Sequence, residues 1–313
     1  MAQTGLVTSN VYLAHDTGAH PECAARLVAV QNHLQLIGLI EDLRVITPRV
    51  ASIEDLRMVH TQEHIFRVQR MCHEGRAYLD PDTVVSRESF DVARTAVGGV
   101  FTAVDQVMLR EVRNAFCLVR PPGHHATASE AMGFCLFNNI ALGARYVQRH
   151  HEQPKVLIVD FDVHHGNGTQ SIFYDDPSVF YFSVHRYPFY PGTGREDQHG
   201  RDAGTGFNLN CPVTITLDRG TIVSIFVKTL DEVAARFTPD FVLISAGFDG
   251  HKDDPIAGLG LETRDFHDMT AAVTELAGKA CDGRIVSTLE GGYDLDSLGP
   301  SVEQHLRALM EAF

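Results

Sequence analysis

The sequence lacks any close pair of cysteines. Its cysteines are dispersed along the chain and none belongs to a C-x-x-C pair: Cys23, Cys72, Cys117, Cys135, Cys211 and Cys281. This spacing is typical of reduced thiols in a cytosolic protein and argues against a disulfide framework. The first residues contain no basic segment followed by an apolar stretch, so we expect no signal peptide and a cytoplasmic location.

Basic residues and long apolar runs are also scarce. The chain has 26 Lys and Arg against 40 Asp and Glu, a net charge of −14, which argues against nucleic acid as a direct partner and mildly favours cationic ligands. Simple solubility explains the same charge equally well. No apolar run approaches the length of a membrane span, so we expect no membrane partner. Without repeats or a recognisable linker, residues 1–313 predict one α/β domain.

Apolar segments alternate with amphipathic ones. Five short apolar runs predict strands at Ala115–Val119, Val156–Val159, Val179–Val184, Phe241–Ser245 and Ile285–Leu289. Helical periodicity predicts helices at Glu88–Arg110, Asn139–His150, Thr221–Phe237, Thr263–Ala280 and Leu295–Phe313, the last with Asp294 as its N-cap. The alternation predicts βαβ units, with a central, mostly parallel sheet flanked by helices. Such sheets bind ligands beyond the carboxyl ends of their strands.

The segment Asp160–His164 (D-F-D-V-H) directly follows one of these predicted buried strands. Charged side chains at the end of a buried strand cost several kcal/mol unless they are compensated, and a bound cation is a common compensator. On an extended segment Asp162 and His164 point to the same side, so both can bind one ion. The alternative is a helix N-cap beside a hydrogen-bonded histidine.

Polar and aromatic residues follow the other strands as well. These strand ends lead into Arg120–His125, His185–Gly194, Ala246–Gly250 and Glu290–Tyr293. Any one of these segments is compatible with an ordinary loop. Five strand ends that deliver histidines, carboxylates, aromatic rings and a tyrosine to the same edge of a sheet favour a catalytic site.

Five motifs carry a resemblance to a known family. R-P-P-G-H-H, G-F-C-L-F-N-N, D-F-D-V-H-H-G-N-G-T, S-A-G-F-D and L-E-G-G-Y resemble the motif series of the zinc-dependent histone deacetylases, in that family's order, over roughly residues 12 to 300. L-E-G-G-Y, Asn167 and the H-P-E segment His20–Glu22 are similar to the class II branch. That branch includes bacterial histone deacetylase-like amidohydrolases and acetylpolyamine amidohydrolases. The resemblance implies the arginase–deacetylase fold.

The resemblance also implies a metal centre and a base. Asp162, His164 and Asp249 match the ligands of one zinc ion per chain, with a coordination position left for water and a substrate carbonyl. His125 matches the general base and acid. His124 matches a partner that tunes charge. The alternative for the His124–His125 pair is two solvated loop histidines.

Three further residues match catalytic positions of the family. Asp160 matches the carboxylate that orients His124, and Asn167 is the counterpart for His125. Other branches carry Asp at the second position; because Asn adds no negative charge, we expect a less basic His125. Tyr293 matches a donor to the tetrahedral oxyanion, and such donors are worth about 10²–10³ in rate. The alternative is a buried tyrosine that caps the sheet edge.

The substrate tunnel of the family has matching residues here. Phe134 and Tyr190 match its two aromatic walls, and Gly133 and Gly292 would let the backbone approach the substrate chain. The usual second wall is Phe, and the segment Tyr187–Phe189 is two residues shorter than in some relatives. These differences leave the width and rim of the tunnel open.

Two potassium sites follow from the resemblance alone. The first is matched by backbone oxygens of Asp160, Asp162 and His164 together with Ser183 and Val184. The second is matched by Phe173, Asp176, Val179 and Phe207.

The substrate expectation is acetyl-lysine in a peptide or protein, or another small acylated amine. Polyamine-selective relatives can carry Glu after an Asp-Pro pair, whereas Ile256 follows Asp254-Pro255 here. Asp80 and Asp82 fit the tunnel rim and fit a solvated turn equally well. An acetylpolyamine amidohydrolase and a homo-oligomer stay open.

Two alternatives come from other functional classes. One is a metal-stabilised acyl-lysine binding module that is catalytically silent. The other is an arginase-like ureohydrolase with two manganese ions, since that fold is shared and Asp253-Asp254-Pro255 follows Asp249. It needs a second Asp/His ligand set, which Val163, Gly166 and Asn167 do not offer.

Overall fold

A computed structural model describes residues 3–75 and 77–311. Its strands are β1 (Gly5–Val7), β2 (Arg44–Ile46), β3 (Ala115–Cys117), β4 (Val156–Asp160), β5 (Val179–Arg186), β6 (Asn208–Val213), β7 (Phe241–Ala246) and β8 (Ile285–Leu289). They form one sheet in the order β2-β1-β3-β8-β7-β4-β5-β6, and every neighbouring pair is parallel. The predicted α/β class with a central parallel sheet is confirmed.

Helices flank this sheet. They are α1 (Ala25–Leu36), α2 (Ile53–Leu56), α3 (Gln62–His73), α4 (Ser89–Met108), α5 (Asn139–His150), α6 (Asn167–Phe173), α7 (Arg219–Arg236), α8 (Thr263–Cys281) and α9 (Leu295–Glu311). The helices α3, α4 and α5 pack in series, as do α7, α8, α9 and α1. Within the described ranges, no helix is long and apolar enough to cross a membrane.

The central strands β4, β7 and β8 are buried along their whole length. Strands covered on both faces need apolar side chains on both, which is why these segments read as continuous apolar runs. In β4 and β7 the polar side chains come only near the carboxyl ends, at Asp160 and Ser245, and these two residues are paired in register. The sheet therefore concentrates polar groups at one edge.

The five predicted strands are all present, with ends that differ by up to two residues. The predicted helices are present as well, and Ser297 N donates to Asp294 Oδ1 over 2.8 Å, which confirms the N-cap of α9. The predicted end of that helix, Phe313, lies outside the described residues.

The strands β1, β2 and β6 were not predicted, and neither were the helices α1, α2, α3 and α6. The strands β1 and β2 have three residues each, too few to show a pattern, and β6 contains two asparagines and a proline, which are depleted in strands. In α1 the exposed Val28 and Leu36 disrupt the apolar stripe formed by its buried face.

Candidate active site

Three buried side chains that could hold a metal ion meet where β4 and β7 end. Asp162 and His164 follow β4, and Asp249 follows β7, the strand beside it. One ligand atom from each residue lies within 4.8 Å of the others, and His164 Nδ1 is 3.1 Å from both Asp162 Oδ1 and Asp249 Oδ2. Burial and the nearby Asp162 carboxylate raise the pKa of Asp249. Two buried carboxylates and one imidazole are a donor set that suits zinc.

Backbone groups orient both carboxylates. Asp162 Oδ1 accepts from His164 N over 2.8 Å, and its Oδ2 accepts from Gly291 N over 2.8 Å. Asp249 Oδ1 accepts from Val163 N over 3.1 Å. A Cβ at Gly291 would collide with the Asp249 carboxylate, so this position requires glycine. The ligand atoms are therefore held in place by the fold itself.

His124 lies next to this cluster, in surroundings that favour its protonated form. Its Nδ1 is 3.0 Å from Asp160 Oδ2, and the Tyr181 hydroxyl donates to the same oxygen over 3.0 Å. Burial lowers the pKa of His124, but Asp160 and Asp162 outweigh burial and raise it to about 10. The Asp160 carboxylate is engaged by these donors and by Asp162 N at 3.2 Å. It is thus placed to support His124.

The surroundings of His125 favour its neutral form. Its Nδ1 is 2.8 Å from Asn167 Oδ1, while Asn167 Nδ2 faces Met132 Sδ at 3.3 Å. This arrangement puts the proton on Nδ1 and leaves the lone pair of Nε2 free. Burial lowers the pKa of His125 well below 6.5, and a positive charge on His124 lowers it further. Adjacent histidines thus have opposite tendencies to bind a proton.

Aromatic rings stand around the cluster. The Tyr293 ring is edge-on to Phe134 at 5.8 Å, and its hydroxyl has no hydrogen-bond partner among the described residues. Tyr190 is edge-on to His125 at 5.3 Å and to His164 at 6.0 Å. The structure thus brings both predicted walls and Tyr293 next to the histidines and the metal-ligand cluster.

Comparison with known proteins agrees with this geometry. The model of the family described as "Histone deacetylase domain" matches residues 20–309. The chain belongs to the histone deacetylase family. It is 36% identical to "Histone deacetylase 14, chloroplastic" of Arabidopsis thaliana, over 95% of this chain and 74% of that protein. It is 37% identical to a "Probable deacetylase" of Archaeoglobus fulgidus, over 99% of this chain and 87% of that protein.

A solved structure of the same family superposes closely. The HDA15 HD domain gives a TM-score of 0.91 at 37% sequence identity, covering 99% of this chain and 88% of that one. Together with the parallel sheet described above, this confirms the expected arginase–deacetylase fold and the class II-like resemblance.

The two predicted tunnel glycines each have a positive φ and a close neighbour. Gly133 has a φ of 56°, and a Cβ there would collide with the His125 ring. Gly292 has a φ of 120°, and a Cβ there would press against Leu298 and Phe248. Both positions therefore favour glycine through contacts within the chain.

One wall residue was missed at the sequence level. Phe189 stacks on the His164 ring, with centroids 5.3 Å apart and planes at 19°, and the guanidinium of Arg186 lies 4.1 Å over Phe189. The sequence feature that could have identified Phe189 is its position next to Tyr190, since the two form an aromatic pair before Pro191.

The residues of the two predicted potassium sites lie toward opposite ends of β5. Ser183 pairs with Asp160 in register near the metal-ligand cluster, and Val184 follows it. The second set surrounds the amino end of β5: the carbonyls of Phe173, Asp176 and Phe207 accept from Asp176 N, Val179 N and Tyr181 N. Both potassium sites stay predictions.

A buried ionic network behind Tyr293 was also missed. Arg26 donates to the carbonyls of Gly292 and Glu290 over 2.6 and 2.5 Å, and its guanidinium lies 4.8 Å from the Tyr293 ring centroid. Glu22 accepts from Arg26 at 3.2 Å and from Arg120 at 2.8 and 2.9 Å. The H-P-E motif was visible in the sequence, but nothing in it indicated that Glu22 would be buried between two arginines.

Proposed function

We propose that this chain is a zinc-dependent deacetylase that hydrolyses the amide of acetyl-lysine or a related acylated amine. The observation that carries the proposal is the convergence of three elements. These are the Asp162–His164–Asp249 cluster, a histidine with a free Nε2, and a tyrosine whose hydroxyl has no protein partner. Together they supply the ligands, the base and the oxyanion donor that amide hydrolysis needs.

The chemistry follows from the charge state of each group. A zinc ion held by the three ligands would acidify a water molecule and polarise the acyl oxygen. The free Nε2 of His125 accepts a proton from the attacking water and later delivers it to the leaving amine nitrogen. The Tyr293 hydroxyl donates to the oxyanion, and the positive charge of His124 stabilises negative charge that develops beside it.

The walls suit an acyl-lysine chain. Phe134, Phe189 and Tyr190 present aromatic surface around the cluster, which matches the apolar methylene stem of lysine. We propose an acetylated peptide or protein as the partner, bound by one catalytic domain. We further propose that the two predicted potassium sites hold the ends of β4 and β5 in place.

The ureohydrolase alternative is weakened by Asp254. Its Oδ1 accepts from Ile256 N at 2.9 Å and from Ala257 N at 3.2 Å, and its Oδ2 accepts from Tyr293 N at 2.8 Å. Oδ1 is thus engaged in the turn that Asp254 itself begins, and Oδ2 holds the backbone of Tyr293. Among the described residues, Asp162, His164 and Asp249 form the one group of three that could hold a metal ion, so a second ligand set is not in place.

The test is a substrate screen on zinc-reconstituted protein. We expect one zinc per chain and acetate release from acetyl-lysine peptides, with little turnover of acetylated putrescine or spermidine. Selective turnover of acetylpolyamines would overturn the substrate proposal. Cleavage of arginine or agmatine with two manganese ions per chain would overturn the reaction itself. Substrate binding without acetate release would support the silent binding module.

A further inference from the structure

Glu290 is a fully buried carboxylate to which no role has been assigned. It directly follows β8, and its Oε2 accepts from the backbone N–H groups of Gly123 at 2.7 Å and His124 at 3.2 Å. Its Oε1 accepts from the Ser245 hydroxyl at 3.0 Å. Among the described residues, no Lys or Arg side chain pairs with this carboxylate. Three hydrogen-bond donors, none of them on a Lys or Arg side chain, help to compensate its burial.

The position of β8 in the sheet explains which parts of the site the Glu290 side chain connects. Strand β8 lies between β3, which leads into the histidine turn, and β7, which leads into Asp249. Ser245 belongs to β7, and Gly123 and His124 belong to the turn after β3. The Glu290 side chain therefore joins the backbone that carries the histidine pair to the strand that precedes a metal ligand.

The histidine turn depends on this side chain. The N–H groups of Gly123 and His124 are buried, and Glu290 is the acceptor that the structure gives them. Without it, two buried donors would lose their partner, and the turn would have to move to recover one. A misplacement of about 1 Å at a catalytic group can cost about 10²-fold in rate.

We propose that Glu290 is a positioning residue that fixes the histidine pair through its length and its hydrogen bonds, and that its negative charge is dispensable. The proposal rests on the deacetylase function, because the position of His125 matters only if it acts as the base. The groups that bond to its oxygens are two backbone N–H groups and a hydroxyl, and a neutral carboxamide of the same length can bond to all three.

Two variants separate length from charge. Glu290→Gln keeps the length: its Oε1 can accept from both N–H groups while its Nε2 donates to the Ser245 hydroxyl. Glu290→Asp keeps the charge but is one methylene shorter and cannot span the same gap. We expect the kcat of Glu290→Gln to stay within about fivefold of the wild type. The kcat of Glu290→Asp should fall by about 100-fold, with KM changed by less than about threefold.

A second measurement does not depend on catalysis. Amide hydrogen exchange at Gly123 and His124 should be at least about tenfold faster in Glu290→Asp and unchanged in Glu290→Gln. Zinc content and thermal unfolding establish that each variant is folded and loaded. If Glu290→Asp does not fold, Ser245→Ala replaces it, since it removes the anchor to β7 alone. We then expect a kcat loss of about threefold to tenfold.

Several results would overturn the proposal. An inactive Glu290→Gln would show that the charge is needed. An active Glu290→Asp with unchanged exchange would show that the length is not. Equal activity in both variants, or an unaffected Ser245→Ala in the fallback, would remove the positioning role. If wild-type protein turns over no acylated amine, the proposed function fails, whereas amide exchange still tests whether Glu290 holds the turn.

Discussion

The floor and the mouth of the site are built in different ways. The floor comprises the buried groups His124, His125, Asp160, Asp162, His164, Asp249 and Glu290. The mouth comprises the partly exposed rings His20, Phe134, Phe189 and Tyr190. Among the described residues, no buried polar atom without a hydrogen-bond partner belongs to the floor. In the mouth, ring contacts such as His20 on Phe134 at 4.5 Å prevail.

We expect the floor to determine which reaction the site supports and the mouth to determine which ligands it accepts. A floor in which backbone groups orient every carboxylate has one geometry available, and it supports one kind of chemistry. A mouth held by ring contacts of about 0.5–1.5 kcal/mol each can adjust to the ligand. We therefore expect substitutions in the floor to affect kcat and metal binding, and substitutions in the mouth to affect KM.

Loss of a metal ligand should have the largest effect. In Asp249→Asn the zinc-binding cluster loses one of its two carboxylates. Loss of a group that only hydrogen-bonds to a metal ligand costs up to about 100-fold in metal affinity, and we expect loss of the ligand itself to cost more. Activity should disappear at ordinary zinc concentrations. Zinc titration measures this, with the exposed neighbour Asp253→Asn as the matched control. Retained zinc affinity in Asp249→Asn would contradict the ligand assignment.

Removal of the Tyr293 hydroxyl should come next. In Tyr293→Phe the ring can still pack on Phe134, but the donor to the oxyanion is lost, so we expect kcat to fall by about 10²–10³ with KM nearly unchanged. Steady-state kinetics on an acetyl-lysine peptide measures the loss, and Tyr174→Phe is the control. A kcat within a few-fold of the wild type would make Tyr293 a structural cap of the sheet edge.

The ionic network behind the floor should matter for stability. In Glu22→Gln the buried Arg26 and Arg120 lose their shared carboxylate, so we expect the free energy of unfolding to fall by about 3–5 kcal/mol. Denaturant unfolding measures it, with Glu54→Gln, 82% exposed, as the control.

The same network predicts a pH dependence. Burial raises the pKa of Glu22, but Arg120 outweighs burial and lowers it to about 2 from an ordinary value of 4.5. The folded state therefore gains stability from this ionisation above about pH 4.5, and loses it as the pH falls toward 2. The difference in stability between wild type and Glu22→Gln should shrink over that range. A difference that does not change with pH would contradict the ionic role.

Most residues of the floor could be predicted from the sequence, because they follow strands that are recognisable as apolar runs. Asp162 and His164 are two residues apart on one segment, so their shared direction is a local property. The partners behind them are not local. Arg26 bonds to Gly292, 266 residues away, and nothing in α1 shows that its guanidinium is buried. Glu290 belongs to the L-E-G-G-Y motif, but its contacts with Gly123 and Ser245 depend on the order of the strands in the sheet. That order cannot be read from the sequence.

A charge placed at Asn167 should shift the pH profile. In Asn167→Asp a carboxylate faces the Nδ1–H of His125 and favours its protonated form, so we expect the pKa of the base to rise. Because the base must be unprotonated, the acid limb of kcat/KM should move to higher pH. Rates near pH 8 should change little. The exposed Asn10→Asp is the control for net charge, and an unmoved acid limb would argue against His125 as the base.

The smallest effect should come from the mouth, at Tyr190. Its ring contacts His125 and His164, while its hydroxyl has no hydrogen-bond partner among the described residues and the side chain is 38% exposed. Tyr190→Phe keeps the ring, so we expect KM to change by less than about threefold. Tyr190→Ala removes a ring contact and should raise KM by about threefold to tenfold, with kcat nearly constant.

Kinetics of these two variants on acetyl-lysine peptides of different flanking charge measures the effect. If Tyr190→Phe raises KM more than Tyr190→Ala does, the hydroxyl rather than the ring recognises the substrate. The mouth would then bind its ligand through a directed hydrogen bond, as the floor does. The assignment of reaction to the floor and of selectivity to the mouth would fail at Tyr190, where the resemblance leads us to expect Phe.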